Sequence, residues 1–312
     1  MRYKPRRDRS KSKSIYKTKI IILCTSIALM VIAGSAVMAQ RFLTYIDTVQ
    51  AKDSEIVLNG NNSSDASGSD EVNSDEVNKE NSDVPFDTPE FVQKYLNQQM
   101  KGEMPDGADG VKAVYLTFDD GPSETVTPKI LDQLKAEGVH ATFFVLGKAV
   151  DSSDENKELI KRIISEGNAI GIHSYSHNYN YLYPNKIVNV DNFKSEVDKT
   201  NESLKNVLGD DFSTKAIRLP GGHMTWKGTD RLDEYFQQEG YSYIDWNALS
   251  KDAEGPKKNA DQLVQQVIET SGTKEKVVLL MHDTYGKEET AKSLSDIIRY
   301  FKNNGYEFRV IK

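Results

Sequence analysis

Asp119 and Asp120 close the apolar run Val114-Tyr115-Leu116-Thr117-Phe118, and His173 and His177 follow the run Ala169 to Ile172 as His-Ser-Tyr-Ser-His. Adjacent carboxylates can divide labour, one on a metal and one as a base. An imidazole pair four residues apart, joined by a carboxylate, suits a catalytic zinc with positions left open for water. Each piece also has a plain structural reading: Asp-Asp-Gly-Pro is a good turn with an Asp as helix cap, and the two histidines could be satisfied core residues. The zinc-protease pattern His-Glu-x-x-His is absent, because Ser174 stands where its glutamate would be. Arg218 opens Arg-Leu-Pro-Gly-Gly. Beside a carboxylate base its permanently charged fork would hold that base ionised and oriented, although it could equally be a surface residue. His282 follows Val277 to Met281 and is either a general acid or a cap.

These residues need a scaffold that gathers run ends. From Val111 onward, β-rich apolar runs fall at Val114–Phe118, Ala141–Leu146, Ala169–Ile172, Ala216–Arg218, Tyr241–Trp246, Val277–Met281 and Glu307–Ile311. Stretches of helical spacing separate them, at Thr127–Glu137 and near 155–167, 191–208, 229–239, 260–271 and 290–304. Thr127 is expected to cap its helix, with Pro128 in the first turn and Gly138 ending it. Strands alternating with helices mean parallel pairing in an α/β sheet or barrel. A closed barrel usually has about eight units, so seven predict an incomplete or distorted one. In such folds sites form at the carboxyl ends of strands, which is where these polar groups fall.

The first 110 residues read differently. Residues 1–19 hold nine Lys/Arg and the single acid Asp8. The whole chain carries −7, so the chain beyond residue 19 is strongly acidic. An acidic body excludes nucleic acid as the expected partner, since phosphate binding needs Lys/Arg surfaces. Residues 20–39 carry no charge and are long enough to cross a bilayer as a helix. With the basic flank before them, a single-pass anchor is expected, N-terminus cytoplasmic and the rest outside. The alternative is secretion after cleavage near Ala39, behind Val37-Met38. Residues 40–110 are expected to be an acidic, largely disordered linker, in which 89–100 either form a short helix on the domain or stay mobile. Cys24 is the sole cysteine, so no disulfide can form within the chain.

The set Thr-Phe-Asp-Asp-Gly-Pro, His-Ser-Tyr-Ser-His, Arg-Leu-Pro-Gly-Gly and Leu-Leu-Met-His-Asp, in that order, resembles the NodB-homology domain of the carbohydrate esterase family 4 polysaccharide deacetylases. The likeness covers residues 111–312. It implies a distorted (β/α) barrel and a divalent metal, zinc or another such as cobalt. It implies Asp120, His173 and His177 as ligands and Asp119 as the base acting on water. Arg218 would tether the base, and the Gly221 N–H, with Pro220 beside it, would face the oxyanion. His282 would protonate the departing amine, with Asp252 orienting it. An amide leaving group needs a proton, so base and acid must hold opposite protonation states, which predicts a bell-shaped pH profile.

Two positions depart from the pattern: Gly221 and Ala253 stand where the resemblance implies aromatic residues, and both changes should open the pocket walls. Asp245 is a weaker rival to Asp252. His223 is read as structural and His140 as distant from the rim. Tyr179, Tyr181, Tyr183 and Trp226 could stack on sugars or pack a loop. The function expected is N-deacetylation of a cell-wall glycan, either peptidoglycan N-acetylglucosamine or a wall-polysaccharide or linkage-unit sugar. The alternatives are an O-acetyl polysaccharide esterase and a carbohydrate-binding pseudoenzyme. No protein partner is implied.

Overall fold

The computed structural model of the chain describes residues 84–312. The basic tail, the anchor at 20–39 and most of the acidic linker therefore lie outside the described residues, within which no helix is long and apolar enough to cross a membrane.

The strands are β1 Phe86–Asp87, β2 Ala113–Asp119, β3 Thr142–Val145, β4 Ala169–Ile172, β5 Ala216–Ile217, β6 Ser242–Tyr243, β7 Ala248–Leu249, β8 Lys276–His282, β9 Glu307–Phe308 and β10 Val310–Ile311. The main sheet runs β6-β5-β4-β3-β2-β8-β7, with β9 added on β2, and all its pairings are parallel. Seven strands curl into an incomplete barrel, as the spacing of the apolar runs predicts. The last run divides at Arg309: Glu307–Phe308 pairs with β2, whereas Val310–Ile311 pairs with β1. The fifth run is strand only at Ser242–Tyr243, and β7 has no counterpart among the expected strands.

Strand parity divides the core in two. Successive side chains point to opposite faces. Val114, Leu116 and Phe118 join Phe143, Val145, Val277, Leu279 and Met281 in the larger cluster, which packs against helix residues such as Ile130, Leu134, Ile160, Phe193 and Ile297. Ala113 and Tyr115 join Phe144, Ala216 and Val278 in a second cluster. This second face is the barrel interior, and the same parity puts Thr117, Asp119, Arg218 and His282 on it at the strand ends.

The helices start where the sequence gives them caps. Ser153 accepts from Asn156 N at the start of Asp154–Ser165, and Asn259 with Gln262 forms a reciprocal capping box at Ala260–Ser271. Thr127 behaves otherwise. Its helix spans Thr127–Glu137 as expected and ends on left-handed Gly138, but Val126 holds the cap position without a side-chain bond. The Thr127 hydroxyl instead accepts from Ser123 N and donates to Asp283 Oδ2 over 2.6 Å. Its lone pair is spent on the Ser123 N–H and its proton on the buried Asp283 carboxyl, so it caps none of its own helix's N–H groups.

The fold begins well before residue 111. Pro89–Met100 is a helix with Thr88 as its cap. Val92 and Leu96 enter the barrel-interior cluster beside Tyr115, Ile244 and Val278. Alternating strands alone leave that interior unfilled; an apolar helix face closes it.

Candidate active site

Asp119 is the last residue of β2 and His282 the last of β8, and they are register partners on adjacent strands. Sheet pairing thus sets the expected base and the expected acid side by side. His173 follows β4 and Arg218 follows β5.

Arg218 is fully buried. Its Nη1 donates to Asp119 Oδ1 at 2.8 Å and to Thr117 Oγ1 at 2.7 Å, and its Nε donates to Ile244 O at 2.9 Å. The guanidinium lies over the Phe144 ring at 4.1 Å. With Nη2 donating to Asp245 O, all three nitrogens of this planar fork are engaged, which lysine could not supply. Burial pushes the Asp119 carboxyl up, and the charges of Arg218 and His282 pull against that shift.

Asp120, His173 and His177 each offer one ligand atom, all within 4.8 Å of one another. Asp120 Oδ1 is buried without a hydrogen-bond partner. It lies 3.6 Å from His173 Nε2 and 3.4 Å from His177 Nε2. His173 Nδ1 sits 2.7 Å from Arg218 O, an acceptor. The ring proton therefore belongs on Nδ1, and Nε2 presents a lone pair. Burial holds His173 down at about 3, against the pull of Asp120 toward protonation, so it is neutral at ordinary pH. Two lone-pair donors facing each other with no proton between them leave the place for a cation, and the donor set fits a divalent metal. The backbone is bent to achieve this: Asp120, Ser174 and His177 have φ of 73°, 72° and 56°. Left-handed conformation in three non-glycine residues of one site is strain that the surroundings must hold.

Asp252, expected to orient His282, lies against it. Its Oδ1 lies 2.8 Å from His282 Nδ1, and its Oδ2 accepts from His282 N and Thr290 Oγ1. Burial works against a charged His282, but the Asp252 bond and charge, with Asp119 and Asp120 farther off, raise it to about 9. The rival Asp245 serves elsewhere, accepting from His223 N. His223 bonds Asp233 through Nε2 and stacks on Tyr243 at 4.0 Å, a structural role. His140 Nδ1 meets Glu166 O, away from the rim.

Gly221 is exposed at φ +81°. The wall beside it is not open, as its lack of a side chain suggested: a Cβ there would meet Trp226 Cζ2 at 3.1 Å and Tyr179 Cε1 at 3.5 Å. Pro220 O accepts from Trp226 Nε1 at 2.8 Å. The tyrosines divide. Tyr183 is buried, whereas Tyr179 and Tyr181 are exposed.

Three supporting residues escaped the sequence reading. Glu196 Oε2 accepts from Tyr175 N and Ser176 N, and its Oε1 accepts from Ser176 Oγ, bracing the His173–His177 loop. Its signal was an acid on the buried stripe with Phe193, Val197 and Thr200. Asp283 is buried, bonded to Thr127, and stands where any Cβ on Gly121 would fall. Burial, with the charges of Asp120 and Asp119 and against the Thr127 bond, raises its carboxyl to about 7. Gln93 Oε1 accepts from Asp245 N, on the segment that carries Arg218's carbonyl acceptors. A cavity of about 1260 Å³ lies at the strand-start end by Gln93, Lys215 and Tyr243, remote from these carboxylates.

Residues 106–244 match the family model described as polysaccharide deacetylase. The chain is 29% identical to a putative polysaccharide deacetylase, YheN, of Bacillus subtilis, over 94% of this chain and 90% of that one. It is 33% identical to a peptidoglycan-N-acetylglucosamine deacetylase of Bacillus cereus, over 63% of this chain and 68% of the other. Among solved structures it resembles a Streptococcus mutans CE4 esterase with a TM-score of 0.66 at 39% identity, covering 73% of this chain and 92% of that one.

Proposed function

Because the chain belongs to the polysaccharide deacetylase family and is a hydrolase of the carbohydrate esterase 4 type, we propose that it removes N-acetyl groups from a cell-wall glycan. Peptidoglycan N-acetylglucosamine is the leading substrate, supported by what its B. cereus relative is named for. A wall-polysaccharide or linkage-unit sugar is second. The observation that carries the reading is the pairing of Asp119 and His282 across one sheet register, beside the Asp120, His173 and His177 donor set.

Asp120, His173 and His177 would hold the metal, zinc by choice of donors, and it would supply Lewis acidity to water and to the acetamide carbonyl. The protein's own groups do the rest. Asp119, held by Arg218 through Oδ1, turns Oδ2 toward the ligand set, 3.7 Å from His173 Nε2. From there it takes the proton of the attacking water. The water oxygen bonds the acetamide carbon, and the Gly221 N–H faces the oxygen that gains charge. His282, its Nδ1 fixed by Asp252, presents Nε2 to the amide nitrogen and donates a proton as the carbon–nitrogen bond breaks. Acetate and a free amine on the polymer are the products.

The reading includes a single-pass anchor at 20–39 with the catalytic domain outside the cell. Val84 lies against Gly167, just ahead of β4, so the described chain enters at the strand-start end, opposite the site. A tether attached there would leave the mouth free to reach wall polymer.

The test is acetate release from purified wall glycans by the full-length protein in detergent, with and without zinc, beside Asp119→Asn and His173→Ala. Zinc-dependent release lost in both variants is expected. Zinc bound without acetate from any glycan would move the reading to a carbohydrate-binding role, and no zinc bound would end it.

A further inference from the structure

A strip of aromatic rings starts at a candidate metal ligand and ends over the Gly221 backbone. Tyr179 meets His177 edge-on with ring centres 5.0 Å apart, and its other neighbour is Trp226 at 5.3 Å. Trp226 is pinned from two sides. Its N–H donates to Pro220 O, and its ring stacks on Tyr183 at 3.9 Å and 10°. Tyr183 is only 3% exposed, so it is packing and gives Trp226 a fixed backing. Tyr179 is 43% exposed, and its hydroxyl bonds none of the described residues. An exposed tyrosine braced by a rigid tryptophan, beside a hydrolytic centre, is more than loop packing requires. Flat rings with a free hydroxyl suit a ligand with an apolar C–H face edged by hydroxyls, which describes a pyranose.

We propose that Tyr179 and Trp226 form the platform on which the sugar ring bearing the acetamide lies, so that they set substrate fit at this centre. The assignment rests on the deacetylase reading for its substrate. Gly221 has no side chain because the Trp226 ring occupies that space, and the ring holds the sugar at the depth where its carbonyl meets the Gly221 N–H. Trp226 acts by binding, so its loss falls on KM and leaves the proton donors untouched.

The experiment uses the full-length protein in detergent with zinc and an N-acetylglucosamine pentasaccharide. Trp226→Ala and Tyr179→Ala are each expected to raise KM about tenfold or more, as truncation of a stacked aromatic does at binding sites, with kcat within about threefold and zinc affinity and pH profile unchanged. Trp226→Phe keeps a ring and is expected to recover part of the loss. The chain has two tryptophans, so in Asp119→Asn/Trp246→Phe the fluorescence reports Trp226 alone. It should change saturably with the pentasaccharide and stay constant with sodium acetate. Unchanged KM in both alanine variants, a loss confined to kcat, or fluorescence indifferent to sugar would overturn the platform. Wild-type protein that releases no acetate, while the variant still shows the saturable change, would overturn the deacetylase reading and keep the platform.

Discussion

Arg218 Nη1 donates to Asp119 Oδ1 at 2.8 Å with the two side chains 0% and 3% exposed. Removing water from both ions costs several kcal/mol, which only a saturated hydrogen-bond set offsets. Thr117 Oγ1, Ile244 O and Asp245 O accept from the guanidinium, which also lies over the Phe144 ring. Arg218→Met would strand a buried carboxylate. The expected loss of unfolding free energy is about 3–5 kcal/mol, read by urea denaturation at pH 7. Asp119 must be ionised to act, and burial already raises its carboxyl. Without Arg218 the proton binds more tightly still, so the acidic limb of kcat/KM moves to higher pH. A limb that stays put in a folded variant would remove Asp119 as the base.

In the proposed mechanism His282 supplies the opposite limb. It must be protonated to donate, so activity is present below its pKa and is lost as pH rises through about 9. Asp252→Asn removes the charge that raises it, and burial then favours the neutral ring. The basic limb is expected to fall well below 9, and kcat at pH 8 to drop by roughly 10²-fold, as for loss of a general acid. The pH profile of the variant decides this. A limb still near 9 would assign it to another group.

The parts of this arrangement legible in the sequence are those that depend on local pattern. β2 and β8 are long apolar runs, and alternation within each puts Asp119 on the face of Tyr115 and Thr117 and His282 on the face of Val278 and Leu280. That these two faces coincide is set by the strand register, which only the folded sheet shows. The run Tyr241–Trp246 was legible but is strand only at Ser242–Tyr243, and Ala248–Leu249, set by tertiary pairing with β8, was not legible at all. Arg309 splits what reads as one terminal strand, because it turns to Asp87 and Glu307. Candidate ligands could be proposed from their motifs, but not the groups that brace them. Glu196 braces residues some 20 positions away, and Gln93 meets Asp245 across 152. Such contacts exist only once the chain is folded.

Glu196 yields a prediction about the metal. Its carboxylate accepts two backbone N–H groups and one hydroxyl in the loop between His173 and His177. Backbone strain at Ser174 and His177 is held by those bonds. Glu196→Ala is expected to weaken zinc binding by about 10–100-fold, the usual cost of losing an outer support. Competition against a chromophoric chelator measures it. His173→Ala, which removes a donor atom, should bind zinc more weakly still. Equal affinity for wild type and Glu196→Ala would mean that the loop holds its shape without the carboxylate.

The helix Pro89–Met100 tests where the catalytic domain begins. Leu96 is 2% exposed and packs in the barrel-interior cluster with Tyr115 and Val278. Leu96→Ala should destabilise the domain by about 2–5 kcal/mol, as for other buried leucines. Gln93→Ala leaves the Asp245 N–H buried without its acceptor, at a cost of about 1–3 kcal/mol. Asp245 O also accepts from Arg218 Nη2, so Gln93→Ala should loosen the arginine as well and lower kcat more than it raises KM. Urea denaturation with steady-state kinetics separates the two effects. If Leu96→Ala unfolds at the wild-type midpoint, the helix is a peripheral attachment and the domain starts at 111. If it shifts as expected, residues 86–100 are part of the barrel.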